Sequence, residues 1–272
     1  MLEAAAFGAL AGAMMVFPGD AAEAAGAVLS LWARAVAPVL GPFMACMLMV
    51  SGRLGGGVLM RTAMGWLSGS PGGARLMREM GLRGRGALRA AAMTGTMSPM
   101  FFISTVGGWL GNGRIGWVIF ICHLLGALGI GLCIGRPEKA ESTPAAPMPL
   151  GTALRESALA LLAVALCMML GCVAARMVSR AFPTIPKEAQ AALQCAMEVT
   201  GGVKAILSLS TPFAPALICA ACSFGGLSLL LQNAAFWQDS GVTIGQLALL
   251  RLFHALLSGA LCQAAVALFP LH

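Results

Sequence analysis

The sequence predicts an all-α polytopic membrane protein, on three observations. Of its 272 residues 59% are hydrophobic and only 10% charged. A soluble domain carries about 25% charged residues, so this chain has too little charge to cover a water-facing surface. Its apolar residues gather in blocks at 27–50, 115–135, 157–175, 213–231 and 244–269, near the length a helix needs to cross a hydrocarbon core of about 30 Å. None of these blocks alternates apolar with polar residues as a barrel strand does, so the backbone must pair within helices.

The elements follow in order. Residues 1–17 are apolar, but Glu3 stands where a signal peptide would be basic, so 1–24 is expected to form an N-terminal helix. A first half is expected over 25–135. The polar, Pro-rich run RPEKAESTPAAPMP begins a linker over 136–152, and a second half follows over 153–272. Many of the 35 Gly and 14 Pro lie inside apolar stretches, which predicts interrupted helices. Tyr is absent, so interfacial anchoring falls to Trp32, Trp66, Trp109, Trp117 and Trp237. The formal charge of +7 sits in short loops, as orientation signals do, and no soluble basic domain exists to bind nucleic acid. All nine Cys lie in apolar stretches, and Cys219 and Cys222 read as packing residues.

The two halves match in sequence order. Gly72-Gly73-Ala74-Arg75 corresponds to Gly201-Gly202-Val203-Lys204, and the surroundings of His123 correspond to those of His254, at an offset of about 130 residues. Between these landmarks each half holds a run of small residues, Thr94 to Pro99 and Ser223 to Ser228. The alternative is chance likeness among Gly- and Ala-rich helices. The stretch 55–89 is too short and broken to cross twice, so it is expected to be a re-entrant hairpin turning at Ser68 to Gly73. Three crossings and one hairpin per half make the two halves inverted-topology repeats. Charge then divides: Arg53, Arg61, Arg78, Arg83, Arg85, Arg89, Arg136, Lys139 and Arg155 fall on one side, Arg114, Arg176, Arg180 and Lys187 on the other. The first side is expected to be cytoplasmic.

Several constellations carry candidate chemistry. At the first hairpin, Ser68, Ser70, Gly72 and Gly73 supply a glycine-rich turn with free N–H groups, and Arg75 a fork suited to a carboxylate; alternatively Arg75 merely begins the basic loop. At the second, Glu198, Thr200, Gly201, Gly202 and Lys204 repeat the pattern in sequence otherwise free of charge, where an ionisable residue usually marks a pathway. A plain Glu198–Lys204 ion pair is the alternative there. If Arg75 and Lys204 face one cavity, they hold two carboxylates of one small ligand. The helix breaks add Thr94 and Ser98 in the first half, and Ser223, Gly225, Gly226, Ser228, Gln232 and Asn233 in the second, as groups to orient a solute or a coupling ion. Ser and Thr also bond their own helix carbonyls. His123 and His254 are candidates for proton coupling, or buried packing residues. Gly111 to Gly116 fits a dinucleotide-binding pattern without the strand it needs. No P-loop, H-E-x-x-H or G-x-S-x-G occurs, so the chain is not expected to be an enzyme, and it needs no cofactor beyond an undecided coupling ion, Na+ or H+.

At Ser68 to Leu76 the chain resembles the sporulation integral membrane proteins of the nucleoside-recognition, or Gate, superfamily. The likeness continues through TGTMSPMFFISTVG at 94–107, Glu198 to Gly202, Ser223 to Ser228 with Gln232, and Arg251 to His254, covering nearly the whole chain. The sequence departs from the family pattern at Ser70, Arg75 and Met97. The resemblance implies a multi-pass protein of the cytoplasmic membrane, in spore formers the outer forespore membrane, associated with moving dipicolinate and distantly related to nucleoside carriers. Expected partners are the bilayer and a small dicarboxylate, with a homo-oligomer left open. The rival readings are a non-transporting scaffold or sensor subunit, and a nucleoside carrier.

Overall fold

The computed structural model describes residues 2–51, 57–78, 80–135 and 148–269, and among them every regular element is helical. Five helical stretches are long and apolar enough to cross a membrane: Pro18–Val50, Gly113–Cys133, Leu150–Ala181, Ala214–Trp237 and Ile244–Leu268. The apolar blocks of the sequence fall on these five. The chain therefore has the helical architecture that a bilayer requires.

Helix α1 (Leu2–Val16) ends at Phe17, because Pro18 opens α2 (Pro18–Leu31) at the first helical position, where its missing N–H costs nothing. A π-helical turn (Trp32–Val36) carries α2 straight into α3 (Ala37–Ser51). Residue 24, the expected end of the N-terminal helix, lies inside this continuous helical rod. Ala24 and Ala25 favour helix, whereas Pro18 interrupts it. Arg176 clamps this rod to the long helix α9 (Leu150–Ala181) by donating to Asp20 (3.0 Å) and Glu23 (2.7 Å).

Helices α4 (Val58–Ser68) and α5 (Gly72–Arg78) form a tight helix–turn–helix. Arg61 closes its open end by donating to the Leu76 carbonyl at 3.1 Å. Next comes α6 (Gly84–Thr94), interrupted at 95–98. The helix resumes at Pro99 and passes through a π-helical turn (Phe101–Val106) into α7 (Gly107–Trp109). Helix α8 (Gly113–Cys133) starts where the Asn112 side chain accepts the N–H groups of Arg114 and Ile115. The glycine-rich run at 111–116 is thus a helix cap. At the other end of α8, Arg85 and Arg89 of α6 donate to the carbonyls of Ile134 and Gly135, which the helix leaves unpaired.

Helix α9 begins at Leu150, directly after Pro149, one turn ahead of the expected start of the second half at 153. The linker residues 136–147, with Arg136 and Lys139, and Arg53 lie outside the described residues. Helices α10 (Lys187–Met197) and α11 (Val199–Ser208) meet at a tight corner. Helices α12 (Ala214–Phe224) and α13 (Gly226–Trp237) form a helix broken at glycine, and α14 (Ile244–Leu268) is long.

The core joins these parts. Phe102, Ile119, Val203, Ile218, Cys219, Cys222 and Cys262 bury together where α8, α11, α12 and α14 cross. Ala74, Met77, Ala87, Leu230, Trp237 and Leu247 form a second cluster. Trp237 is 1% exposed, which corrects its expected role as an interfacial anchor: the glycine turn at Gly241 folds it under α14. Trp117, by contrast, is half exposed.

Candidate functional site

Two sharp helix corners and two helix breaks converge in the interior. At the first corner Gly69 has φ +67°, and a Cβ there would stand 2.5 Å from the Ser98 nitrogen. Only glycine permits that approach. The Ser70 N–H donates to the Thr96 carbonyl (2.6 Å), and Gly73 lies against the Thr94 carbonyl. This corner is therefore locked onto the break in its own half. Across the halves, the Ser70 hydroxyl donates to Asn233 Oδ1 at 3.1 Å, and the Asn233 amide is braced on the Leu229 carbonyl. Ser68 and Thr94 are buried and donate to carbonyls of their own helices. Arg75 leaves the corner altogether: its Nη1 donates to Glu156 Oε2 of α9 at 2.8 Å.

The second corner closes differently. Glu198 is fully buried and caps α11, its Oε1 accepting the Thr200 N–H (2.9 Å) and its Oε2 the Gly201 N–H (2.7 Å). The Cys172 thiol points at Oε2 from 3.7 Å. The free N–H groups expected to receive a substrate carboxylate are thus taken up by the protein's own carboxylate, which corrects that expectation for this corner. An anion at a helix N-terminus is favourable, and this one is already in place. Gly202 packs directly on Cys195, and the consecutive left-handed Gly225 and Gly226 (φ +82° and +69°) let the second break pass the Cys195 and Met197 carbonyls. Lys204 does not pair with Glu198; its Nζ stands 5.2 Å from the centre of the Trp109 ring.

Between the corners lies an inner cavity of about 60 Å³. Its polar lining comes from all four features: Ser70, Ser98, Glu198 and Thr200, and Gln232 from the helix after the second break. Thr105 adds a hydroxyl, and Val36, Leu40, Phe101, Val164 and Met168 supply apolar walls. Gln232 is buried with neither amide oxygen nor amide nitrogen bonded, so a donor and an acceptor both stand free in the lining. Among the described residues lining this cavity there is no Lys or Arg. Arg75 and Lys204 do not meet in it. A second, outer cavity of about 360 Å³ touches the other side of Glu198, and here Glu23, Arg176, Gln194, Gly201 and Lys204 form the polar lining.

Behind the inner cavity a buried network ties the two breaks together. The Met97 N–H donates to His123 Nε2 (3.1 Å), so His123 carries its proton on Nδ1 and donates to the Ser223 hydroxyl (2.8 Å). His254 Nε2 donates to the His123 carbonyl at 2.8 Å, and the two rings lie 4.7 Å apart centre to centre, tilted by 36°. Arg251, 5% exposed, donates to the Ser223 carbonyl at 3.4 Å and lies against Gly95. One cation thus faces the carbonyl ends of both broken helices, where it is electrostatically favourable. Reading by motif passed over Arg251 as a site residue. Its signal was available: a lone cation in the apolar stretch 244–269, the rule already applied to Glu198 and Lys204. Ser228 is buried with its hydroxyl unbonded. Among the described residues no group of three or more His, Cys, Asp or Glu stands ready for a metal ion. In comparison with known proteins the chain matches no family model, no curated protein and no solved structure.

Proposed function

We propose that the chain is a membrane transporter of a small polar solute, built from two inverted repeats around a site they share. The observation that carries this reading is the inner cavity: two helix corners and two helix breaks, one of each from either half, contribute its polar lining. Irregular backbone at membrane depth is tolerated where it lines such a cavity, and paired broken helices at a repeat interface are how secondary transporters bind solute. A volume of about 60 Å³ holds only about two waters at their liquid share of about 30 Å³ each. A solute of about a dozen heavy atoms therefore enters when the corners move apart, as one repeat rocks against the other.

The substrate class we propose is a small dicarboxylate, dipicolinate by the chain's resemblance to the sporulation proteins of the Gate superfamily, which would place it in the outer forespore membrane. Ser70, Ser98 and Thr200 hydroxyls and the Gln232 amide would donate to it, in place of the Arg75–Lys204 pair. A nucleoside carrier is the second reading. It is favoured by a cavity without Lys or Arg that combines the Glu198 carboxylate with the unbonded amide of Gln232. Such a lining suits an uncharged solute carrying donors and acceptors.

The test is uptake of labelled dipicolinate into proteoliposomes with uridine as competitor. Saturable dipicolinate uptake that uridine leaves intact supports the dicarboxylate reading, and competition by uridine moves the substrate to nucleosides. A folded preparation that moves neither is a scaffold or sensor.

A further inference from the structure

Glu198 occupies a position that a solute-binding role alone does not explain. It lines the inner cavity on one side and the outer cavity on the other, so the two spaces are separated by its carboxylate and the first turn of α11. Among the described residues it has no cationic partner. Arg176, across the outer cavity, is already bonded to Asp20 and Glu23, and Lys204 faces Trp109. The titratable groups packed around it are the thiols of Cys172 on α9, Cys195 on α10 and Cys222 on α12, and the Glu23 carboxylate lines the outer cavity with it. Its Oε1 accepts the Thr200 N–H, and its Oε2 the Gly201 N–H and the Cys172 thiol, all of them neutral donors.

A carboxylate-bearing solute entering the inner cavity therefore meets a negative charge that no described cation offsets. Two like charges about 5 Å apart at an effective dielectric near 20 lower joint occupancy on the order of a hundredfold. Neutralising Glu198 removes that barrier. The buried, unbonded Gln232 amide in the same cavity then remains to bond the solute.

We infer that Glu198 is the proton-carrying residue of transport: it takes up a proton from the outer cavity, and only in that form admits a small carboxylate to the inner one, so that proton and anion move together. This deepens the transporter reading and rests on it. His123 and His254 are not needed for coupling, since their hydrogen bonds brace the helix breaks behind the cavity.

The experiment uses the full chain in proteoliposomes with the membrane potential clamped at zero and dipicolinate as probe. Exchange of labelled for unlabelled dipicolinate is measured first; its absence removes the transporter reading and this inference with it. With exchange present, an inside-alkaline gradient of one pH unit is expected to accumulate dipicolinate about tenfold for each proton carried. Entry of the solute should also acidify a lumenal pH dye. Exchange without either response, or accumulation driven by a Na+ gradient instead, overturns the inference while leaving the transporter reading intact. Glu198→Gln should lose the gradient-driven accumulation and the acidification, and Glu198→Asp should keep both. Persistence of proton-driven accumulation in Glu198→Gln also overturns it.

Discussion

The two glycine-rich corners, Ser68 to Arg75 and Glu198 to Lys204, share a Gly-Gly pair and a following cation, yet they close in opposite ways. The first is held from outside: Ser70 donates its N–H to the Thr96 carbonyl, and Gly69 presses on Ser98. The second is held from within, by a carboxylate that caps its own helix. The cations leave both corners, Arg75 for Glu156 and Lys204 for Trp109. Like motifs thus do not guarantee like chemistry. A corner that already contains an anion has no use for a second one unless the first is neutralised.

This contrast can be broken or sharpened by substitution. The largest effect is expected at the first corner. Gly69→Ala combines a left-handed backbone with a clash against the Ser98 backbone, a loss of about 2–5 kcal/mol, read as a drop in unfolding temperature in detergent and loss of solute binding. Next comes Glu198→Ala, which strips the cap and leaves the N–H groups of Thr200 and Gly201 buried without partners. A loss of about 2–3 kcal/mol follows, and a smaller loss for Glu198→Gln, whose amide oxygen still accepts one bond.

Arg75→Gln removes a partly exposed ion pair and is expected to cost no more than about 1 kcal/mol. It should also leave dipicolinate affinity within about threefold, a shift under 1 kcal/mol. A selective loss of dicarboxylate binding in this variant would restore the paired-cation site. Lys204→Gln is expected to be mildest, about 0.5 kcal/mol for the contact with Trp109, visible in a melting curve only as a small shift.

Particular residues mark how far the sequence could be read. The spans, the corner at Gly69 to Pro71 and the breaks at 95–98 and Gly225 were legible, because they follow from local apolar length and from glycine and proline. The inward turn of Glu198 was not, since Glu is not among the preferred caps, and nothing nearby announces that it bonds its own helix. The Arg75–Glu156 pair joins residues 81 positions apart, and no local pattern foretells it. Arg251 was legible in principle as a lone cation among apolar residues, but its task of facing two helix ends exists only once α6, α12 and α14 have packed.

The sequence by itself determined that the chain is helical, apolar enough for a bilayer, and interrupted where it is. These properties depend on hydrophobic burial and backbone freedom, which act over one helix at a time. The tertiary structure alone decided which charges face the cavity and which are neutralised elsewhere. A charge is placed by its partners, and those partners arrive from distant parts of the chain: Glu156 for Arg75, Trp109 for Lys204, Asp20 and Glu23 for Arg176. For that reason the composition of the corners was readable, and the sign of the charge they present to a solute was not.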